Sequence, residues 1–215
     1  MSVEPVDQGS QLAALLGLIN ITLFEDLAGL AAVSDEMAER IRLDTLAAGL
    51  FLRFTDQTSG LDEGVEVLER FAAPLQTFLA MTAPADELQQ DIRLLLLAGV
   101  QGDIAETLQG QQRRLPKALA TGPELWRVVD HASSRILAGL GDDPQAVQLS
   151  NLYARRALAE CVVLFQTIAA RNTDFSNELS GSVDDGLADL TGVSSTLEAV
   201  VNASSARLQR LGFNL

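Results

Sequence analysis

The sequence is poor in the side chains that most often bind metals or form cross-links. Its 215 residues include one histidine, His131, one cysteine, Cys161, and one lysine, Lys117. A single cysteine excludes an internal disulfide. A standard di-iron site in a helical bundle needs acid-x-x-His pairs on two helices. One histidine cannot supply both, and the residue three before it is Val128 rather than an acid. The sequence therefore predicts that the protein has no standard di-iron centre.

Positive charge is also scarce. Fifteen basic residues stand against 29 acidic ones, which gives a formal net charge of -14 and a pI near 4.3. Because duplex binding depends on neutralising phosphates with Lys and Arg, this composition argues against nucleic-acid binding. The first 50 residues carry only Arg40 and Arg42 as basic side chains, so an N-terminal DNA-reading domain of a repressor is also disfavoured.

The sequence also lacks long hydrophobic runs. The longest strongly apolar run covers residues 94–100, well short of the ~20 residues that cross a bilayer. Residues 1–10 are polar and acidic and do not resemble a signal peptide. We predict a cytoplasmic protein without a membrane span.

The residues that are abundant favour helices. Apolar residues make up 47% of the chain and charged residues 20%, while aromatics reach only 5%. Leu and Ala dominate, and both form helices more readily than strands. No linker divides the chain, so we predict a polar tail at 1–9 and a single all-α domain at 10–215.

Apolar residues recur at three- and four-residue steps and place the helices. They predict a helix over 10–33 and a second one that ends at 58, with Ser34 as its N-cap. A third helical segment covers 62–79, with an interruption at Pro74, and a fourth covers 84–112, with Pro84 in its first turn. Further helices are predicted over 121–140, 144–171 and 194–211. Residues 172–186 read as irregular, with room for one short helix. The helix at 84–112 is apolar most of the way round and is predicted to be central. Gly99 and Gly102 predict close helix contacts there. An antiparallel bundle is the expected architecture.

Two polar candidates are adjacent on one predicted helix. Asp130 and His131 point about 100° apart, so they do not face one another. His131 could pair with Ser134 or Arg135 one turn later, which gives a weak indication of an activated hydroxyl. A surface or partly buried histidine with no catalytic role is the competing interpretation. We assign no catalytic residue.

The third polar candidate is Glu160, which lies among the apolar residues of 157–163. A buried carboxylate needs a partner or a raised pKa. An intrahelical ion pair with Arg156 is one interpretation. A polar group lining an internal pocket is the other.

Several stretches, taken in order, carry a family resemblance. They are Ala14-Leu15-Leu16-Gly17-Leu18, Ala73-Pro74-Leu75-Gln76-Thr77-Phe78 with Thr82-Ala83-Pro84, Gly102-Asp103-Ile104-Ala105, Leu152-Tyr153-Ala154-Arg155-Arg156 with Glu160, and Arg207-Leu208-Gln209-Arg210-Leu211-Gly212-Phe213. Over nearly its full length the chain resembles ferritin-like bacterial proteins related to the tRNA hydroxylase that modifies methylthio-isopentenyl-adenosine. The resemblance implies a ferritin-like antiparallel helical bundle with additional helices.

The resemblance also implies where a di-iron centre would lie. The positions of its ligands fall on apolar residues or glycines: Leu23, Gly49, Leu52, Gly102 with Asp103 one residue away, Leu125 and Val128. The apolar period of the stretch 44–54 itself predicts an ordinary buried helix face. Apolar side chains at the former ligand positions would fill the bundle centre, each contributing ~1.5–3 kcal/mol.

These observations favour a non-catalytic bundle that lacks a di-iron centre, binds no cofactor, and acts through self-association, as a homodimer, or by binding another protein. Three alternatives stay open. One is a metal-dependent hydroxylase-like oxidoreductase with atypical ligands. Another is a cofactor-free catalyst that uses Asp130, His131 or Glu160. The third is a bundle that binds a small apolar ligand.

Overall fold

The structure is a computed structural model that describes residues 10–59, 61, 64–111, 119–120, 122–141, 144–180 and 190–214. Within these residues it contains eight helices and no strand. The helices are α1 (Ser10–Val33), α2 (Met37–Thr58), α3 (Val65–Met81), α4 (Glu87–Gly110), α5 (Pro123–Leu140), α6 (Pro144–Arg171), α7 (Thr173–Ser180) and α8 (Leu190–Arg210). The predicted all-α bundle is confirmed.

Two helix pairs form the frame of the bundle. Only residues 34–36 join α1 to α2, so the two helices run antiparallel and pack along each other. The second closely packed pair is α4 with α5. The two pairs meet where α1 contacts α4 and where α2 contacts α5, while α3, α6, α7 and α8 cover the remaining sides.

Helix α4 lies at the centre, as its sequence predicts. Every residue from Asp91 to Ala105 is buried, which covers the whole circumference of the helix. Its glycines let neighbouring side chains approach. A Cβ on Gly102 would lie 2.6 Å from Cζ2 of Trp126 in α5, and one on Gly99 would lie 3.0 Å from Cζ of Arg207 in α8. Both predicted close contacts are therefore confirmed.

Two predicted helix starts are wrong. The N-cap of α2 is Glu36, without a side-chain cap, and the Ser34 hydroxyl instead donates to the Glu36 carbonyl at 3.4 Å. Pro84 does not stand in the first turn of α4, because Asp86 is the N-cap and accepts a 2.8 Å hydrogen bond from the Gln89 amide. A carboxylate that caps a free amide specifies the start better than a proline nearby.

The predicted interruption at Pro74 is also wrong, since this residue lies inside a continuous α3. Phe71, Leu75 and Phe78 bury one face of the helix on both sides of the proline. Their packing offsets the lost backbone hydrogen bond, which propensity alone would treat as a break.

The remaining boundaries lie near the predicted ones. Helices α5 and α8 are followed by Gly141 and Gly212, whose φ angles of 48° and 95° suit glycine at a helix end. The short helix within 172–186 is α7, and α8 begins at Leu190 rather than 194. The predicted starts at 62 and 121 and the end of the predicted irregular stretch, 181–186, lie outside the described residues.

Helix α1 alone, within the described residues, is long and apolar enough to cross a membrane, over Gln11–Val33. The core helix of a soluble protein passes the same test. Its leucines at 12, 15, 16, 23 and 27 are at most 1% exposed inside the bundle. The prediction from uninterrupted apolar runs, of which 94–100 is the longest, did not identify this stretch.

Candidate functional site

Three of the positions where the resemblance places metal ligands hold fully buried apolar side chains. Leu23 of α1 and Leu125 and Val128 of α5 are 0% exposed. Apolar side chains in the interior stabilise the bundle, whereas a carboxylate buried there without a partner would destabilise it. Among the described residues, no group of three or more His, Cys, Asp or Glu side chains could hold a metal ion.

The two positions on α2 do not lie where they were expected. Leu52 is 64% exposed, and Gly49 is half-buried with the Glu124 side chain above it. Leu43, Leu46 and Leu50 form the buried face instead. Leu52 is two residues past Leu50 and therefore points roughly 200° away from it. The expectation that the whole stretch 44–54 faces the core is wrong, and Leu52 does not fill the bundle centre.

Asp103 of α4 is buried but already engaged. Its Oδ1 accepts a 2.6 Å hydrogen bond from Arg207 Nη2, and its Oδ2 accepts bonds from Arg207 Nη1 at 3.2 Å and from the Ser204 hydroxyl at 3.0 Å. The Arg207 guanidinium also lies 5.3 Å from the centre of the Trp126 ring. This carboxylate therefore joins α4 to α8, and both of its oxygens take part in that contact.

The polar residues that do lie inside the bundle are three amides. Asn20 of α1 donates to Gln57 of α2 at 2.6 Å and accepts from Gln101 of α4 at 3.1 Å, and none of the three is more than 2% exposed. Sequence analysis missed this amide cluster. A signal was present, since each amide occupies a position on the buried apolar face of its helix.

The amide cluster does not fit an iron or manganese centre. Such ions are held in bundles by carboxylates and imidazoles, which supply negative charge and strong donor atoms. Amide side chains are neutral, and their hydrogen bonds here hold α1, α2 and α4 together. Two polar atoms, Gln57 Nε2 and Gln101 Oε1, have no hydrogen-bond partner among the described residues.

A groove of about 410 Å³ between α2 and α5 contains His131, one of the predicted candidates. Glu39 also lines this groove and contacts three basic side chains. Its Oε1 lies 3.6 Å from His131 Nε2 and 3.5 Å from Arg135 Nη1, and its Oε2 lies 3.3 Å from Arg42 Nη1. The sequence did not point to Glu39, because it comes from another helix, 92 positions away from the histidine.

The groove is anchored on one side by an ion-pair network. Arg135 Nε donates to both carboxylate oxygens of Asp91 at 3.0 Å, and Arg135 Nη2 donates to Glu87 at 3.2 Å. Burial raises the pKa of Asp91 to about 6, against the opposing effect of the Arg135 charge. Asp91 therefore takes up a proton in mildly acidic solution.

His131 itself is kept neutral by its surroundings. Its side chain is 5% exposed, and this burial lowers its pKa below the usual value, although the Glu39 carboxylate acts in the opposite direction. Nε2 has no hydrogen-bond partner among the described residues. The Ser134 hydroxyl donates to the Asp130 carbonyl at 2.9 Å, so it forms no pair with the imidazole. The indication of a histidine-activated hydroxyl is not supported.

The other two candidates lie elsewhere. Asp130 is exposed on α5. Glu160 lines a different groove, of about 260 Å³, between α3 and α6, and the predicted ion pair with Arg156 is absent from the described part of the chain. No catalytic constellation among the described residues contains all three candidates.

The solvent side of α2 carries exposed apolar side chains. Met37, Ile41 and Leu52 are 68%, 59% and 64% exposed, and the exposed Ala48 lies between them. Their spacing of four, seven and four residues places them on one line along the helix, opposite the buried leucines. We call these four residues the α2 stripe. An apolar line of this kind on a water-facing helix indicates an interaction surface.

Comparison with known families gives one result for this chain. Residues 7–182 match a family model described as a ferritin-like domain of actinomycetes. The matched region covers most of the chain and extends from the residues before α1 into those after α7. A comparison with curated proteins finds none that matches.

Proposed function

The chain belongs to the ferritin-like domain family of actinomycetes. We propose that it is a non-catalytic member of this family that lacks a di-iron centre. We further propose that it works in the cytoplasm by associating with a partner. The partner is a second copy of the chain or another protein. The proposal includes descent shared with the tRNA hydroxylase relatives, without their chemistry. The exposed α2 stripe is the observation that carries it.

The distribution of polarity supports association over catalysis. Interior positions that the resemblance assigns to ligands are occupied by Leu23, Leu125 and Val128, while large apolar side chains stand on the outside of α2. A soluble bundle gains nothing from exposing Met37, Ile41 and Leu52 to water. Covering such residues with a partner releases about 25 cal/mol for each Å² of apolar surface removed from water.

The grooves give weaker support to an enzyme. The groove at His131 holds no activated nucleophile, and its arginines are already engaged by carboxylates. The groove at Glu160 is lined mainly by side chains of α3 and α6, without a second titratable acid. The groove at Glu160 therefore lacks the pair of groups that general acid–base catalysis requires. The groove at His131 holds a carboxylate beside the imidazole, but Glu39 is shared there with Arg42 and Arg135.

Metal analysis of the purified protein, together with its mass in solution, tests this proposal. We expect iron and manganese well below one ion per chain after growth in supplemented medium, and a molar mass that rises with protein concentration. Stoichiometric iron or manganese at the bundle centre would contradict the proposal. So would a chain that is monomeric and retains no partner protein under any condition.

A further inference from the structure

The solvent side of α2 carries the features of a self-complementary surface. Resting on the association proposed above, we propose that a second copy of the chain binds the first part of the α2 stripe, from Met37 to Ala48, with its own α2 antiparallel. In this pairing Ile41 lies beside the two-fold axis, and Arg40 faces Asp44 of the second copy. The partner is thus assigned as this chain itself.

The first support is the shape of the α2 stripe. From Met37 to Leu52 it extends about 22 Å along the helix. Along this line the large side chains of Met37 and Ile41 come first, and the small residues Thr45 and Ala48 follow. Antiparallel pairing reverses this order in the second copy, so Met37 meets small residues there.

The second support is a pair of charges on one flank of the stripe. Arg40 and Asp44 are both exposed and are one helical turn apart, about 40° around the helix axis. No ion pair involves either side chain within the described part of the chain, although Arg42 on the same helix is engaged by Glu39. The two charges are therefore available to a partner.

Antiparallel pairing makes these charges complementary. In a two-fold antiparallel helix pair, each flank meets the same flank of the other copy. Placing Arg40 against Asp44 of the second copy sets the axis beside Ile41 and Arg42, and the same contact then forms twice. Met37 would lie against Thr45 and Ala48 of the second copy. The helix dipoles also oppose one another in this arrangement, which is favourable.

Parallel pairing lacks this match. The flank that carries Arg40 would then meet the opposite flank of the second copy, where Ala38 and Thr45 carry no charge. The antiparallel arrangement is therefore the one that the charges favour. A contact built on one helix from each copy is small beside the ~800 Å² per partner of a standard interface, so we expect dissociation at micromolar concentrations.

A charge-swap experiment on the full-length chain tests the arrangement. Sedimentation equilibrium of the wild type in ~0.15 M salt, up to about 200 µM, should show a monomer–dimer equilibrium. Arg40→Asp places two acids opposite one another, and Asp44→Arg places two arginines opposite one another. Each variant alone should weaken the dimer by about tenfold or more. An equimolar mixture of the two should restore dimerisation, because both contacts in the mixed dimer join opposite charges.

Matched variants control for the apolar contact. Ile41→Glu should also weaken the dimer, whereas Leu149→Glu, at a residue of α6 that is 54% exposed, should leave it unchanged. Circular dichroism checks that every variant is folded. A dimer unaffected by all three α2 variants would overturn this surface while leaving self-association in place. Weakening without restoration in the mixture would overturn the antiparallel arrangement. A wild type that stays monomeric would overturn self-association itself.

Discussion

Arg207 of α8 holds both carboxylate oxygens of Asp103 in α4, at 2.6 and 3.2 Å, with both side chains in the interior of the bundle. Truncating one partner leaves the other buried without its counter-charge, which typically costs about 3–5 kcal/mol. We expect that loss in the free energy of unfolding for Asp103→Ala, measured by urea denaturation.

Two comparisons make that measurement specific to the buried pair. Arg42→Ala removes a surface ion pair to Glu39, in which the Arg42 side chain is 64% exposed, and should cost less than ~1 kcal/mol. Replacing both members of the buried pair, as Asp103→Leu with Arg207→Met, should recover much of the loss. A similar cost for Asp103→Ala and Arg42→Ala would show that the buried pair has no special role.

The amide cluster predicts strong coupling between three helices. Asn20→Leu leaves the hydrogen-bonding atoms of Gln57 and Gln101 unpaired in the interior, at about 1–3 kcal/mol for each group. Replacing all three amides by Leu removes the unpaired groups as well and should destabilise the protein less than Asn20→Leu alone. Urea denaturation of the single and triple variants checks this. Additive losses would contradict the coupling.

The amide cluster also shows what the sequence could and could not predict. The sequence could predict most helices, because apolar residues such as those of α2 and α5 recur at the helical period on the faces that these helices bury. The cluster could not be found the same way, since its hydrogen bonds join residues 37 and 81 positions apart. Periodicity identifies a buried face on each helix but not which polar residues on different helices meet.

The error at Leu52 has a similar origin. Leu46, Leu50 and Leu52 are alike by residue type, and only the angle around α2 separates the buried leucines from the exposed one. A placement carried over from a resemblance can slip by two residues without changing the apparent pattern. The groove at His131 could not be predicted from the sequence for another reason. Its contacts involve Glu39 and Asp91, which come from two other helices.

Gly102 predicts a steric effect that can be rescued. In Gly102→Ala the new Cβ would lie 2.6 Å from Cζ2 of Trp126, which requires the indole or the helix to shift. Overpacking of this kind costs about 1–3 kcal/mol. Trp126→Leu in the same chain should relieve the contact, so the double variant should lose less than the two single losses added together.

The matched control for this substitution is Gly29, which is also inside a helix but has nothing within 4 Å of a new Cβ. Gly29→Ala should stabilise the protein by up to about 1 kcal/mol, because alanine favours the helix more than glycine does. Thermal or urea denaturation of both variants gives the comparison. If both alanine variants stabilise the protein, the contact at Trp126 is looser than described.

Asp91 predicts a pH dependence with a defined sign. Its pKa is raised from 3.8 to about 6 in the folded protein, so the folded state keeps a proton that the unfolded state loses. The free energy of unfolding contributed by this group is therefore highest below pH ~4 and falls as the pH rises towards 6. The free energy of unfolding of the wild type minus that of Asp91→Asn should therefore fall as the pH rises over that interval. An unchanged difference would contradict the raised pKa.

His131 predicts the opposite sign and can be observed directly. Its pKa is lowered by burial, while Glu39 favours the charged form and Arg135 and Arg42 oppose it. The neutral form is favoured in the folded state, so this contribution to stability is present above pH ~6.5 and is lost as the pH falls through the lowered pKa.

As the only histidine in the chain, His131 gives a single imidazole signal in a proton NMR titration. We expect its midpoint below 6.5, and Glu39→Gln should lower it further because the attraction for the imidazolium is removed. A wild-type midpoint above 6.5 would mean that attraction to the Glu39 carboxylate outweighs burial, which would contradict the lowered pKa.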